Sequence, residues 1–387
     1  MSLINMLDFE NTIQRHESAI GTITRFQGTV LSEDLENRFK EIIHLNPWIG
    51  SRLIESSEGK LMFEVPNSID DISPYLKIYD IKNLLNNKAN IDELLDTIIN
   101  EKNSNLIKKL YILPTEQCIN KDVPLIKFSF VFDNEAEEFA MIYSMNHTVG
   151  DGASYYKLFK MMSLDEEIQS LNFDRKHEFS EVELSFSESQ NKAKEQEQKK
   201  KNGFRKVINL DLIQKIKEKN NAACGDRWVS THDIITSMLF NSLKADQLMY
   251  AINTRPHLSY LDDHDVGNYV DAIIIDSSDE ITAKDIRQSI NDYKSGLHVK
   301  SDKLKNSNGA TKTALLTSWV QNYKTLILGA NCKQNFHLPL VPSNLQGKAI
   351  GGVDHLCVLF CLNESTWMLV GLTTNTNWLE NNPLFLN

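Results

Sequence analysis

The chain is poor in cysteine, and none of what it has forms a ligand set. Its five cysteines, at 118, 224, 332, 357 and 361, are scattered and odd in number. Only Cys357 and Cys361 are near neighbours, and they lie in an apolar, strand-like run rather than a C-x-x-C loop. Neither a disulfide framework nor a cysteine zinc site is implied, and a reducing compartment fits best. Positive charge is also short. Lys and Arg number 41 against 52 Asp and Glu, a formal net charge of -11. That balance argues against nucleic acid or an anionic membrane as the main partner. No window approaches the ~20 apolar residues of a membrane-spanning helix. The start, Met1-Ser2-Leu3-Ile4-Asn5, has no basic segment leading into an apolar one. There is no H-E-x-x-H or comparable ligand spacing, no nucleophile elbow, and no G-x-G-x-x-G after a strand. A cytoplasmic protein with no metal and no permanently bound cofactor is expected.

What is present describes an ordinary globular protein. Hydrophobic residues make up 41% and charged residues 24% of the chain. At 387 residues it is too long for one ordinary core, so two domains are expected. Residues 18–31 alternate as a strand, and Ser32 then offers a cap for a helix with Leu35, Phe39, Ile42 and Ile43 on one face. Asn46-Pro47-Trp48 ends that helix, and 51–55 with 60–65 reads as a hairpin. Asp92 to Leu106 reads as one helix. Glu181 to Lys201 is dense in Glu, Gln, Lys and Ser and ends in Lys199-Lys200-Lys201, as a solvated crossover would. The second half again mixes strand and helix. Strands are expected at 205–210, 248–253, 270–275, 313–319, 353–363 and 367–373, and helices from Asp211, at 234–243 and at 283–295. The expected organisation is an N-terminal domain over 1–164, a linker over 165–205 and a C-terminal domain over 206–387.

One stretch carries chemistry. Two apolar segments, Ile126 to Phe132 and Phe139 to Met145, flank a polar turn and predict a β-hairpin. At its end the chain reads Met145-Asn146-His147-Thr148-Val149-Gly150-Asp151-Gly152-Ala153-Ser154. Tyr155, Leu158, Phe159 and Met162 then recur at helical spacing. His147 therefore stands on a strand-to-helix turn, where Gly150 and Gly152 let the backbone bend. An imidazole held there by a rigid sheet can take a proton near neutral pH. Whether Asp151 touches it cannot be read from spacing.

His147 to Gly152 matches the H-x-x-x-D-G signature of the CoA-dependent acyltransferase superfamily, which includes the plant BAHD enzymes, alcohol acetyltransferases, chloramphenicol acetyltransferase and condensation domains. The resemblance extends in family order from about residue 16 to 378. Asn46 to Leu53 resembles the segment after the family's first helix. Ser230-Thr231-His232-Asp233 resembles its S-x-N-D helix start, and Asn253-Thr254-Arg255-Pro256-His257-Leu258 its D-x-R-x-R-L turn. Val266-Gly267-Asn268 resembles its F-G-N loop, and Thr317-Ser318-Trp319 its T-S-W strand. Two departures mark a divergent, stand-alone member. The D-F-G-W-G motif is absent, the region reading Leu328-Gly329-Ala330-Asn331-Cys332, and Asn146 occupies the place of the second histidine of condensation domains.

The resemblance implies an α/β (α+β) fold of two chloramphenicol-acetyltransferase-like domains, each a mixed sheet with flanking helices, and an active-site tunnel between them. It implies acyl transfer, with His147 as base, to a hydroxyl or an amine of a small molecule, in a ternary complex with acetyl-CoA or another acyl-CoA. Asp151 is implied to be structural and to pair with Arg255. Trp319 and Thr317 are implied to face the oxyanion, although Trp319 fits core packing equally well. Asn268 either lines the acyl-donor channel or caps a loop. His232, His337 and His355 are read as structural. Donors carried by a carrier protein and a non-catalytic binding homologue remain open, and a monomer is expected.

Overall fold

The computed structural model describes residues 1–12, 19–85, 89–100, 102–179, 201–222, 228–276, 280–296, 312–340 and 353–386. The charged segment from Glu181 through Lys200 and the cysteine at 224 lie outside the described residues. The chain divides into two compact units. One comprises Met1–Leu184, Leu258–Tyr269 and Asn322–Lys348, and the other Ser185–His257, Val270–Gln321 and Ala349–Asn387. Two stretches of the second half thus cluster with the first.

In the first unit, a small antiparallel sheet joins β1 (Ser2–Asn5), β3 (Arg52–Glu55) and β4 (Leu61–Val65) in the order β1-β4-β3. The main sheet contains β2 (Ile20–Gly28), β5 (Leu76–Asp80), β6 (Ile126–Asp133), β7 (Glu138–Met145) and β12 (Cys332–Pro339), ordered β12-β2-β7-β6-β5. The expected hairpin is β6 with β7, paired antiparallel from Ile126–Met145 to Asp133–Glu138. Its strands are buried along almost their whole length, which is why they read as continuous apolar runs rather than alternating ones. The helix Ser32–Leu45 buries Leu35, Phe39, Ile42 and Ile43, but its cap position is Leu31, and Ser32 is its first helical residue. The single helix expected over 92–106 is two, Ile91–Ile99 and Ser104–Leu110. Asn103 restarts the chain by accepting a hydrogen bond from Leu106 N with its side chain.

The second unit carries a six-stranded mixed sheet. Its strands are β8 (Asn202–Val207), β9 (Gln247–Asn253), β10 (Val270–Asp276), β11 (Thr313–Ser318), β13 (His355–Asn363) and β14 (Thr366–Thr373), ordered β10-β9-β11-β13-β14-β8. β11 runs parallel to both its neighbours, and the other pairs are antiparallel. The helix Thr231–Leu243 starts at a capping box in which Ser230 and Asp233 satisfy each other's backbone N–H. Its inner face joins the helix Ala283–Lys294 in a core with Leu248, Leu316 and Leu359.

His337, in the interior of β12, is fully buried between the Thr24 hydroxyl on Nδ1 (2.9 Å) and the Tyr156 phenol on Nε2 (2.8 Å). A neutral ring satisfies both neighbours, one nitrogen donating and the other accepting. Burial pushes its pKa down to about 3 from 6.5. The unfolded chain therefore takes up a proton at this residue at a pH where the fold does not. Its contribution is whole above pH 6.5 and is lost as pH falls towards 3, at ~1.4 kcal/mol per pH unit. His232, pushed down to about 4 mainly by burial, adds a loss of the same sign. Denaturation midpoints measured from pH 7 to 4 are expected to fall steeply, and less steeply in His337→Gln. An unchanged slope in that variant would show that His337 is not the proton acceptor.

Candidate active site

His147 leaves the end of β7 and is half-buried, while Asn146, Thr148, Val149, Gly150 and Asp151 around it are buried. Asn146 braces the turn. Its Oδ1 accepts from the hydroxyls of Thr115 (3.1 Å) and Thr148 (2.7 Å) and from Thr148 N (3.0 Å). A second histidine could not accept from all three at one atom, so this position holds the turn together here.

Asp151 is the N-cap of the helix Gly152–Met161, and Gly152 is the first helical residue. One carboxylate oxygen of Asp151 accepts from Ser154 N (2.9 Å) and Ser154 Oγ (3.0 Å), and the other from Tyr269 N (3.1 Å). Ser154 Oγ in turn accepts from Gly267 N (3.2 Å), and Asp151 N donates to Gly267 O (3.2 Å). The Asp151 turn and the loop Leu258–Tyr269 are therefore one hydrogen-bonded body. Neither Gly150 nor Gly152 has positive φ in this strand-to-helix turn. What Gly150 supplies is space, because a Cβ there would come within 2.7 Å of the Ser154 Cβ.

Asn268 is buried beside the imidazole. Its Nδ2 donates to His147 O (2.8 Å) and to Glu10 Oε1 (3.1 Å), while its Oδ1 lies 3.0 Å from His147 Nδ1. A backbone carbonyl and a carboxylate can only accept, so they fix which end of the amide is Nδ2. The Oδ1 facing the ring must then accept, which puts the imidazole proton on Nδ1 and the ring's lone pair on Nε2. The loop residue thus contacts the histidine itself.

Behind Asn268 stand two residues that no motif pointed to. Glu10 accepts from Asn268 N (3.2 Å) and Leu7 N (3.1 Å), and it pairs with Arg175 Nε at 2.8 Å. Both side chains of that pair are 0% exposed. Arg175 also donates to the carbonyls of Thr148 (3.3 Å) and Val149 (2.9 Å), which follow His147, and to those of Phe173 (3.1 Å) and Val266 (2.9 Å). Its guanidinium lies over the Phe173 and Phe63 rings, at 4.5 and 4.9 Å from their centroids. An isolated glutamate in a five-residue helix and an arginine in a loop give no periodic or motif signal, so only the coordinates reveal them. Tyr269 closes the loop. Burial pushes its phenol up to about 12, and that phenol accepts from Lys176 N (2.9 Å).

His147, Asp151, Gly152 and Asn268 thus come together within the first unit. The other predicted residues belong to the second. Arg255 is 3% exposed and donates from Nη1 to Asn253 Oδ1 at 3.0 Å. Thr317 lies on β11 opposite Val358, and Trp319 follows it, half-buried, with its backbone N–H on Leu359 O at 2.8 Å. His355 Nδ1 meets the Thr373 hydroxyl at 2.7 Å, and His232 Nδ1 that of Thr236 at 3.2 Å. Among the described residues no group of three or more His, Cys, Asp or Glu could hold a metal ion, and no helix is long and apolar enough to cross a membrane.

Asp151→Ala is expected to destabilise the fold by roughly 2 kcal/mol or more, because it deletes a helix cap and strands the Tyr269 N–H. Asp151→Asn keeps one acceptor and should cost less. Both should lower the melting temperature together with turnover. A fall in turnover at unchanged melting would give Asp151 a chemical role instead.

No family model matches the chain, and no curated protein matches it in sequence. Solved structures do match. The first condensation domain of the CDA synthetase is 11% identical, with a TM-score of 0.63 over 99% of this chain and 93% of that one. F. sporotrichioides TRI101, complexed with coenzyme A and T-2, is 14% identical, with a TM-score of 0.62 over 96% and 95%. Polyketide synthase associated protein 5 from Mycobacterium tuberculosis is 12% identical, with a TM-score of 0.64 over 98% and 95%. At this level of identity the likeness is one of fold: the chain shares the α/β fold of these condensation-domain, TRI101 and polyketide-synthase-associated structures.

Proposed function

We propose that the protein is an acyl-CoA-dependent O-acyltransferase that moves an acyl group, acetyl in the simplest case, to a hydroxyl of a small specialised metabolite. The observation that carries this is the hydrogen-bonded His147, whose Nδ1–H is held by Asn268 so that Nε2 is the basic nitrogen. A thioester and an alcohol need a group that takes the hydroxyl proton as the C–O bond forms, and donors for the negative charge that develops on the carbonyl oxygen. His147 supplies the first. By chemistry and resemblance, the Trp319 indole N–H and the Thr317 hydroxyl are donors of the second kind. No serine or cysteine is placed beside His147 by any motif, so direct transfer in a ternary complex is favoured over an acyl-enzyme. Coenzyme A bound to TRI101 supports a CoA donor here, used as co-substrate and not as a resident group.

Condensation domains share the fold and support a second reading, transfer from a carrier-protein thioester to an amine. Thiol release from acetyl-CoA with primary, secondary and phenolic alcohols decides between the two. Acceptor-dependent release establishes the first reading. Release only with amines or an acylated carrier protein establishes the second. No release with any donor favours a non-catalytic binding protein.

A further inference from the structure

We propose that Glu10 is a positioning residue for His147, acting through the amide of Asn268. The proposal rests on His147 being the base. The chain of contacts is continuous and buried. Glu10 Oε1 accepts twice from Asn268, from the backbone N–H at 3.2 Å and from one Nδ2–H at 3.1 Å. A carboxylate oxygen has no proton to give, so Glu10 tolerates only the Nδ2 end of that amide. Together with the His147 carbonyl, which takes the other Nδ2–H at 2.8 Å, Glu10 thereby directs the Oδ1 end at His147 Nδ1.

An amide turned the other way would set N–H against N–H and would leave the imidazole to place its proton on Nε2, the nitrogen that must accept. The orientation of one amide therefore selects between a base and a group that cannot act as one. Arg175 completes the device. It anchors the far carboxylate oxygen of Glu10 at 2.8 Å and also holds the Thr148 and Val149 carbonyls, so the carboxylate and the His147 turn share one support. In effect a neutral amide stands between carboxylate and imidazole, where a serine-protease site has the carboxylate in direct contact. Glu10, His147, Arg175 and Asn268 all belong to the first unit.

The test reads the tautomer directly, on the full chain labelled with nitrogen-15 histidine. Long-range proton–nitrogen correlation shows which ring nitrogen carries the proton, and the His147 signal is the one missing from His147→Gln. Wild type is expected to be Nδ1–H, and an Nε2–H ring there overturns the proposal whatever any variant does. Glu10→Gln is expected to populate Nε2–H and to lower kcat for acceptor-dependent thiol release from acetyl-CoA by about 10- to 100-fold, as loss of a supporting partner does, with KM unmoved. A base held wholly in the wrong tautomer loses about 10⁴-fold.

Glu10→Gln strands a buried guanidinium and risks failing to fold. Glu10→Gln/Arg175→Gln removes that charge as well, and it should show the same redistribution. If either folded variant keeps Nδ1–H and full kcat, Glu10 has no positioning role. The two readings fail separately. Intact turnover in His147→Ala sinks the base, whereas an unmoved tautomer beside an inactive His147→Ala sinks Glu10 alone.

Discussion

Replacing His147 with alanine is expected to lower kcat by about 10²- to 10⁴-fold, the range for loss of a positioned general base. That is about 2.7–5.5 kcal/mol on the barrier. The fold should survive the change. The ring is half-buried at the end of β7, and the contacts that shape its turn are made by Asn146, Asp151 and Arg175. Alanine removes one hydrogen bond to Asn268, whose Nδ2 keeps its bonds to His147 O and Glu10. The cost of that lost bond is about 1 kcal/mol. His147→Gln offers Asn268 a donor but no base, so it should be as inactive as alanine while melting closer to wild type. The measurement pairs kcat from thiol release with thermal melts. Equal turnover in wild type and His147→Ala would remove His147 from the reaction. A collapse of the fold in both variants would make it a structural histidine.

The parts of this molecule that sequence reading reached are those whose signal is local. The β6–β7 hairpin, the helix behind it and the capping box at Ser230 announce themselves through apolar runs, spacing and cap residues over fewer than about a dozen positions. β12 does not. Its register shifts between Gln334 and Phe336, which breaks the period of two, and two of its buried residues are the polar Gln334 and His337. Its pairing with β2, more than 300 residues away in sequence, has no local mark at all. The site divides the same way. H-x-x-x-D-G is readable because the turn needs those residues close together. The partner of His147 is not, since Asn268 and Glu10 are 121 and 258 positions from the residues they meet. Asn268 stood out through its loop motif, but the contact that gives it a purpose is tertiary.

Arg175→Met is expected to cost about 3–5 kcal/mol, as removal of one partner of a buried ion pair does. Methionine keeps much of the volume against Phe173 and Phe63, so the loss is electrostatic and not a cavity. It leaves the Glu10 carboxylate in place without its cation and strips a donor from four backbone carbonyls, those of Phe173, Val266, Thr148 and Val149. An exposed pair would be worth ~0–1 kcal/mol, so a measured loss in that range would show that water reaches Arg175. Chemical denaturation of the full chain, followed through the transition of the first unit, supplies the number. Glu10→Gln/Arg175→Met should recover part of the loss, because a buried pair removed whole often costs little. That asymmetry bears on why the pair is there. If stability were its purpose, two apolar residues would serve as well. What two apolar residues cannot do is turn an amide towards an imidazole while holding the carbonyls on either side of the loop. The double variant is therefore expected to melt nearer wild type than Arg175→Met does, and yet to stay slow.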